Sequence, residues 1–291
     1  MTAWLGDGLR VTHGVGTMTP QSTAVSAIEL RGVTKRFVTS SGSSFTALHD
    51  VGLVVRGGEF CAIVGPTGCG KSTTLALISG LEPPSLGEVR VLGERVSGVG
   101  RSVGYMFQRD AIFPWKSVLD NVAVGPIFRG AGRTVAVTRA RDWIARVGLA
   151  GFERYYPHQL SGGMRKRVAL AQTLINEPRV LLMDEPFSAL DVQTRSLMEN
   201  ELLELWAATG ASVVFVTHDL EEAIALADRV VVITAGPGTV KGEYRVDLPR
   251  PRNIAEVRFH PRFVEIYEEI WKDLRDEVLI SYERAKRRVA S

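Results

Sequence analysis

The stretch Gly65-Pro66-Thr67-Gly68-Cys69-Gly70-Lys71-Ser72-Thr73 restricts the fold of this chain more than any other. Phe60 to Val64 (FCAIV) precedes it, a short apolar run bounded by glutamate and glycine, the pattern of a buried strand. TLALISGL follows, with leucines and isoleucine at helical spacing. Strand, glycine-rich turn and helix in that order are the context in which a backbone closes around phosphate. The glycines let the chain curl and turn its N–H groups inward. The helix adds the positive end of its dipole. Lys71 then reaches the outer phosphates as a point charge, and the Ser72 hydroxyl is placed to ligate magnesium.

With 291 residues, 45% of them hydrophobic, the chain has material for one large domain or two modest ones. Its net charge of +3 is too small to argue for a nucleic-acid partner. The two cysteines, Cys61 and Cys69, make neither a disulfide framework nor a zinc spacing, which points to a reducing cytoplasm. Cys69 lies inside the phosphate loop, so alkylation there is expected to block nucleotide binding. No apolar run approaches the length of a bilayer span. The opening residues lack a charged-then-apolar export signal, and 1–26 form a loose, glycine- and threonine-rich tail.

Ordered structure is expected from about Ala27. AIELRGVTKRF alternates like an edge strand and LHDVGLVVRGGE like a second, with the serine- and glycine-rich VTSSGSSFT between them. Phe37 ends the first of these, placed either to stack on a nucleotide base or to fill the core. VGYMFQ is a strand ending in Gln108, which is either merely solvated or holds magnesium or an attacking water. Ser117 to about Leu149 is mainly helical with a break at GPIFRGAGR, and Trp143, Ile144 and Val147 share an apolar face. Just upstream, Phe113, Pro114 and Trp115 are either a docking point for a partner or core.

LSGGM opens a second long helix. Ser161, Gly162 and Gly163 at its start form either another anion-binding end or an ordinary serine N-cap. RVLLMDEP is a buried strand ending in Asp184 and Glu185. Carboxylates at the C-terminal end of a parallel strand face the ligand crevice, Asp184 towards a magnesium shell and Glu185 towards a water. FSALD turns into a helix reaching about Ala208. ASVVFVTHD ends in His218 on the same rim, and RVVVITAG is the last strand. A basic, proline-broken segment leads to a closing amphipathic helix with Ile266, Ile270 and Leu274 on one face.

Taken in this order, the motifs resemble the ATP-binding subunit of an ABC transporter, from about Ala27 to Gly242. Phe37 stands where that family often has tyrosine. Gly65 to Thr73 matches its Walker A loop, Gln108 its Q-loop, and Leu160 to Met164 its signature, with methionine in place of the commonest glutamine. Val180 to Asp184 matches Walker B, Glu185 the general base, Ser188 to Asp191 the D-loop and His218 the switch histidine. Lys166 and Gln172 depart from the family, where glutamine and arginine are common. LSGGMRKRV, FPWKSVLDNV and the short LPRPR-containing tail look most like the nitrate, sulfonate, taurine and bicarbonate importers of bacteria.

The resemblance implies an α/β P-loop NTPase fold: a mainly parallel core sheet, an antiparallel β subdomain and a helical subdomain (about 109–165) within 27–245, then a helical extension (246–291). It implies ATP and magnesium as ligands. Phe37, the loop from Gly65 to Thr73 and Gln108 would hold the nucleotide. Ser161, Gly162 and Gly163 would reach the ATP of a partner copy, itself identical or a paralogous ATPase subunit, paired head-to-tail. Ser72, Gln108 and Asp184 would serve the metal, and Lys71, Glu185 and His218 the chemistry. Transmembrane permease subunits would be direct partners and a substrate-binding protein an indirect one, with the chain peripheral at the cytoplasmic face of the inner membrane. The competing reading is a soluble, non-transport ABC ATPase on ribosomes or DNA. Such proteins usually carry two cassettes or a long coiled coil, and this chain has one set of motifs and no sustained heptads.

Overall fold

Two sheets organise the protein, in a computed structural model that describes residues 26–38 and 42–290. The tail expected over 1–26 lies, apart from Ser26, outside the described residues, as do 39–41 of the serine- and glycine-rich loop. The smaller sheet is antiparallel, in the order β2 (Ser44–Arg56), β1 (Ser26–Val38), β4 (Leu86–Val91), β5 (Glu94–Arg95). β1 is therefore an inner strand, not the edge strand its alternation suggested. Alternation reports that one face meets solvent; it carries no information about whether the hydrogen-bonding edges are paired.

The larger sheet has the order β10 (Val240–Arg245), β9 (Arg229–Ile233), β3 (Phe60–Val64), β8 (Ser212–Thr217), β7 (Val180–Asp184), β6 (Val103–Met106). All its pairings are parallel except β10 on β9. β3, β7 and β8 are buried at every residue, as strands covered on both faces must be. Their alternate residues enter two different cores. Phe60, Ala62 and Val64 pack with Met183 and Phe215 under the helices. Cys61 and Ile63 pack with Val214, Val216 and the small sheet. β9 is not the last strand, because VKGEYR pairs along its outer edge as β10.

α1 (Lys71–Ser79) follows β3 and is ended by Gly80 at φ +77°. α2 (Val118–Phe128) packs on α3 (Arg133–Arg146) and on α4 (Gly162–Leu174). The break between α2 and α3 is shorter than expected: α2 continues through Gly-Pro-Ile-Phe, and Gly130 at φ +93° turns the chain. Trp143, Ile144 and Val147 are buried there as expected. α5 (Val192–Thr209) and α6 (Leu220–Leu226) flank β8, and the short α7 (Ile254–Val257) leads into α8 (Pro261–Ala290). Ile266, Ile270 and Leu274 of α8 are buried in the main core, so that helix packs along its apolar face.

Candidate active site

Strand register decides which residues meet. Val64 of β3 lies opposite Thr217 of β8, and Asp184 of β7 opposite Val216. Three parallel strands thus end abreast, and the residues just beyond them share one rim: the loop after Val64, Glu185 after Asp184, and His218 after Thr217. This is the crevice beyond the carboxyl ends of a parallel sheet, where ligands bind in open α/β folds.

The phosphate loop has little spare volume. A Cβ on Gly65 would lie 2.7 Å from the Ile233 carbonyl oxygen, and one on Gly70 would lie 2.5 Å from Leu48 Cδ2. Gly68 and Gly70 sit at φ +79° and +102°, conformations that suit glycine. Lys71, buried at 6% exposure, crosses the loop and donates to the carbonyls of Gly65 (2.8 Å) and Pro66 (3.2 Å). The Ser72 hydroxyl donates to Asp184 Oδ1 at 3.0 Å. Burial raises the Asp184 pKa, neighbouring Glu185 adds to the rise, and the Ser72 hydrogen bond opposes it. A buried carboxylate beside a hydroxyl is a hard-oxygen pair that a divalent cation fits, with phosphate oxygens and water completing its shell. Cys69 is 1% exposed and burial raises its thiol pKa, so the alkylation expected from sequence is corrected: a reagent has no access to that sulfur.

The strongest convergence is on Glu185. Gln108 Nε2 donates to its Oε2 at 3.2 Å, and His218 Nδ1 lies 3.0 Å from the same oxygen. Glu185 stands at φ +42°, an uncommon backbone for a glutamate, held by its N–H on the Val216 carbonyl (2.9 Å) and by Ser188 on its own carbonyl. β6 stops at Met106, so Gln108 sits on the following loop rather than at a strand end, and its side chain reaches across to Glu185. Tyr105 of β6 stacks on Phe107, with ring centres 4.2 Å apart.

Lys166, which the sequence marked only as a departure, proves to belong to this neighbourhood. Its side chain is 4% exposed; Nζ donates to the Gln108 carbonyl (2.8 Å) and pairs with Asp110 (2.9 Å). It ties α4 to the loop that carries Gln108. The signal was present as a lysine in an otherwise apolar helical stripe, but its partners could not be read from spacing. Ser161 caps α4 in the ordinary way, accepting from Met164 N–H at 3.3 Å, and is exposed. Gly162 and Gly163 lie against Leu190 and Thr194, not among the rim residues described above. Phe37 is half-buried at the end of β1, outside both cores, with Lys35 Nζ 4.8 Å from its ring centre. Trp115 is 71% exposed and packs on half-buried Phe113 at 5.5 Å, which removes the core alternative for the tryptophan.

Residues 48–188 match the family model described as ABC transporter. An uncharacterized ABC transporter ATP-binding protein of Methanocaldococcus jannaschii is 44% identical over 254 residues, covering 87% of this chain and 93% of that protein. The chain belongs to the ABC transporter ATP-binding family. It is accordingly an ABC ATPase with the P-loop cassette fold. The taurine import ATP-binding protein TauB of Burkholderia thailandensis is 42% identical over 232 residues, 78% of this chain and 89% of TauB. The nitrate import ATP-binding protein NrtD of Synechocystis is 40% identical over 253 residues, 85% of this chain and 95% of NrtD. A solved ATP-binding cassette, described as dimeric and bound to ADP and Pi after hydrolysis, superposes with a TM-score of 0.68 at 33% identity, over 76% of this chain and all of that one.

Proposed function

We propose that this ABC ATPase powers a bacterial importer of a small anion such as nitrate, a sulfonate, taurine or bicarbonate, as a pair of copies closed head-to-tail around ATP. The observation that carries the chemistry is the convergence of Gln108 and His218 on one oxygen of Glu185, beside the Ser72–Asp184 pair. In this reading Lys71 exchanges its two loop carbonyls for phosphate oxygens, and the amides of Gly65 to Thr73 cradle the rest. Ser72, Asp184 and Gln108 hold magnesium, which supplies charge neutralisation at the phosphates. Glu185 accepts the proton of the attacking water, and His218 fixes the carboxylate that does so. Phe37 stacks on the base.

Ser161 bonds only within its own helix among the described residues, to Met164 and Arg165. An exposed helix start of that kind is free to meet phosphate on a second copy or on a paralogous subunit. Two-fold pairing then makes two equivalent sites, and the dimeric state of the similar solved cassette supports it. Charge-assisted bonds to phosphate contribute on the order of 1.5–3 kcal/mol each, so several bridging two chains hold them together only while the γ-phosphate is present. Among the described residues no helix is long and apolar enough to cross a membrane. In this reading the pore is a separate permease, docking at exposed Trp115 and its half-buried neighbour Phe113, with the cassette peripheral at the cytoplasmic face and a binding protein supplying the anion. Names of relatives concerned with taurine and nitrate import support the anion class. Purified chain with magnesium and ATP should release phosphate, and a crosslinker at position 115 should capture a membrane protein. Absence of hydrolysis, or capture of ribosomal proteins instead, overturns the reading.

A further inference from the structure

The turn between β9 and β10 backs the phosphate loop. A Cβ on Gly238 would lie 2.1 Å from the Cys69 carbonyl oxygen, and one on Gly236 would lie 3.7 Å from that of Gly68. Gly65 is pressed on the same turn through the Ile233 carbonyl. Gly238 and Gly236 meet the loop backbone directly, and the Ile233 and Leu48 side chains pack beside Gly238, so a shift of the turn is passed to the loop. The other side of the turn is held by α8. The buried Ala235 N–H donates to Glu277 Oε2 at 2.7 Å, and the second oxygen of Glu277 pairs with Lys241 at 2.9 Å. Arg284 donates to the Ala235 carbonyl at 3.0 Å and to the Gly236 carbonyl. Both polar groups of Ala235 are thus fixed by one helix, and Glu277 is only 7% exposed.

We propose that Glu277 and Arg284 are positioning residues for the phosphate loop, so that the seating of the C-terminal helix sets the affinity for ATP. The inference rests on the reading of Gly65 to Thr73 as the ATP cradle. Amide donors in such a loop must point at oxygens fixed in space, and displacement of the turn behind Gly68 and Cys69 moves those donors. Glu277 acts through the Ala235 N–H and Lys241 rather than through the rim residues Glu185 and His218, so its effect falls on binding rather than on the chemical step.

The test uses the full chain, with Kd for a fluorescent ATP analogue and the split between KM and kcat. Glu277→Ala leaves a buried amide without an acceptor and raises Kd and KM about tenfold, with kcat at saturation within about twofold. Glu277→Gln keeps an oxygen for Ala235 N–H and restores affinity to within about twofold of wild type. Tyr244→Phe, which breaks a bond to Asp273 on the same helix away from the turn, lowers the melting temperature and leaves KM unchanged. Amide exchange in the 65–73 segment rises in Glu277→Ala but not in Tyr244→Phe. Wild-type affinity in Glu277→Ala, or an equal loss in Tyr244→Phe, overturns the proposal. If the wild-type chain binds no ATP, the cradle reading fails and the positioning role of Glu277 and Arg284 with it.

Discussion

Replacing Glu185 with glutamine separates chemistry from binding. The substitution keeps the side-chain volume, and an amide oxygen remains to accept from Gln108 and His218, which now reach Glu185 Oε2 at 3.2 and 3.0 Å. The positive φ of +42° is shared by either residue, so folding is not newly strained. Lys71 and Ser72 bond to Gly65, Pro66 and Asp184 rather than to Glu185, so the nucleotide cradle is untouched. In the proposed chemistry only the base is lost. General-base catalysis is worth roughly 10²–10⁴-fold, or about 3–5 kcal/mol of barrier. Phosphate release under single-turnover conditions should fall by that factor while the Kd for ATP stays within about threefold. Because hydrolysis no longer removes the bridge, gel filtration with magnesium and ATP should show a stable dimer, and ADP should return the monomer. Robust hydrolysis by Glu185→Gln would refute the assignment of the base.

Lys71→Ala should abolish nucleotide binding, measured by equilibrium dialysis, because a buried cation facing the loop interior is lost. Lys166→Met should lower kcat roughly tenfold with ATP affinity kept, since it frees the loop carrying Gln108, and Lys166→Gln should recover part of the loss. Burial pushes Glu222 up to about 8, against a bond from Thr217, and burial pushes Glu199 up to about 7. The folded state therefore binds more protons than the unfolded chain above pH 4.5, so stability falls as pH rises towards those values, by up to about 1.4 kcal/mol per pH unit per group. Urea unfolding between pH 5.5 and 7.5 should show that decline, and Glu222→Gln should flatten it.

The phosphate loop, the three buried strands and the rim carboxylates were legible because each is a short run whose meaning lies in adjacent residues. FCAIV has five apolar residues in succession and all five are buried. VKGEYR was missed as a strand because it is polar and mostly half-exposed, an edge strand whose pairing with β9 and side-chain bonds to α8 leave no apolar run in the sequence. The roles of Lys166 and Glu277 were beyond reach for another reason. Lys166 meets Gln108 across 58 residues and Glu277 meets Ala235 across 42. Spacing in sequence says nothing about partners that the topology brings together. The apolar face of α8 was visible, but a buried glutamate on such a helix looks like solvated charge until the turn it grips is seen.

Complementation between two inactive copies tests the shared site most directly. Lys71→Ala destroys the cradle and spares the Ser161 end; Ser161→Arg does the reverse. Each variant alone should be inactive. Mixed in equal amounts, the two should regain phosphate release approaching about a quarter of the wild-type sites, since random pairing joins one good cradle to one good cap in half the dimers. A mixture as silent as its components, or a Ser161→Arg protein that hydrolyses ATP unaided, would contradict a site built from two chains.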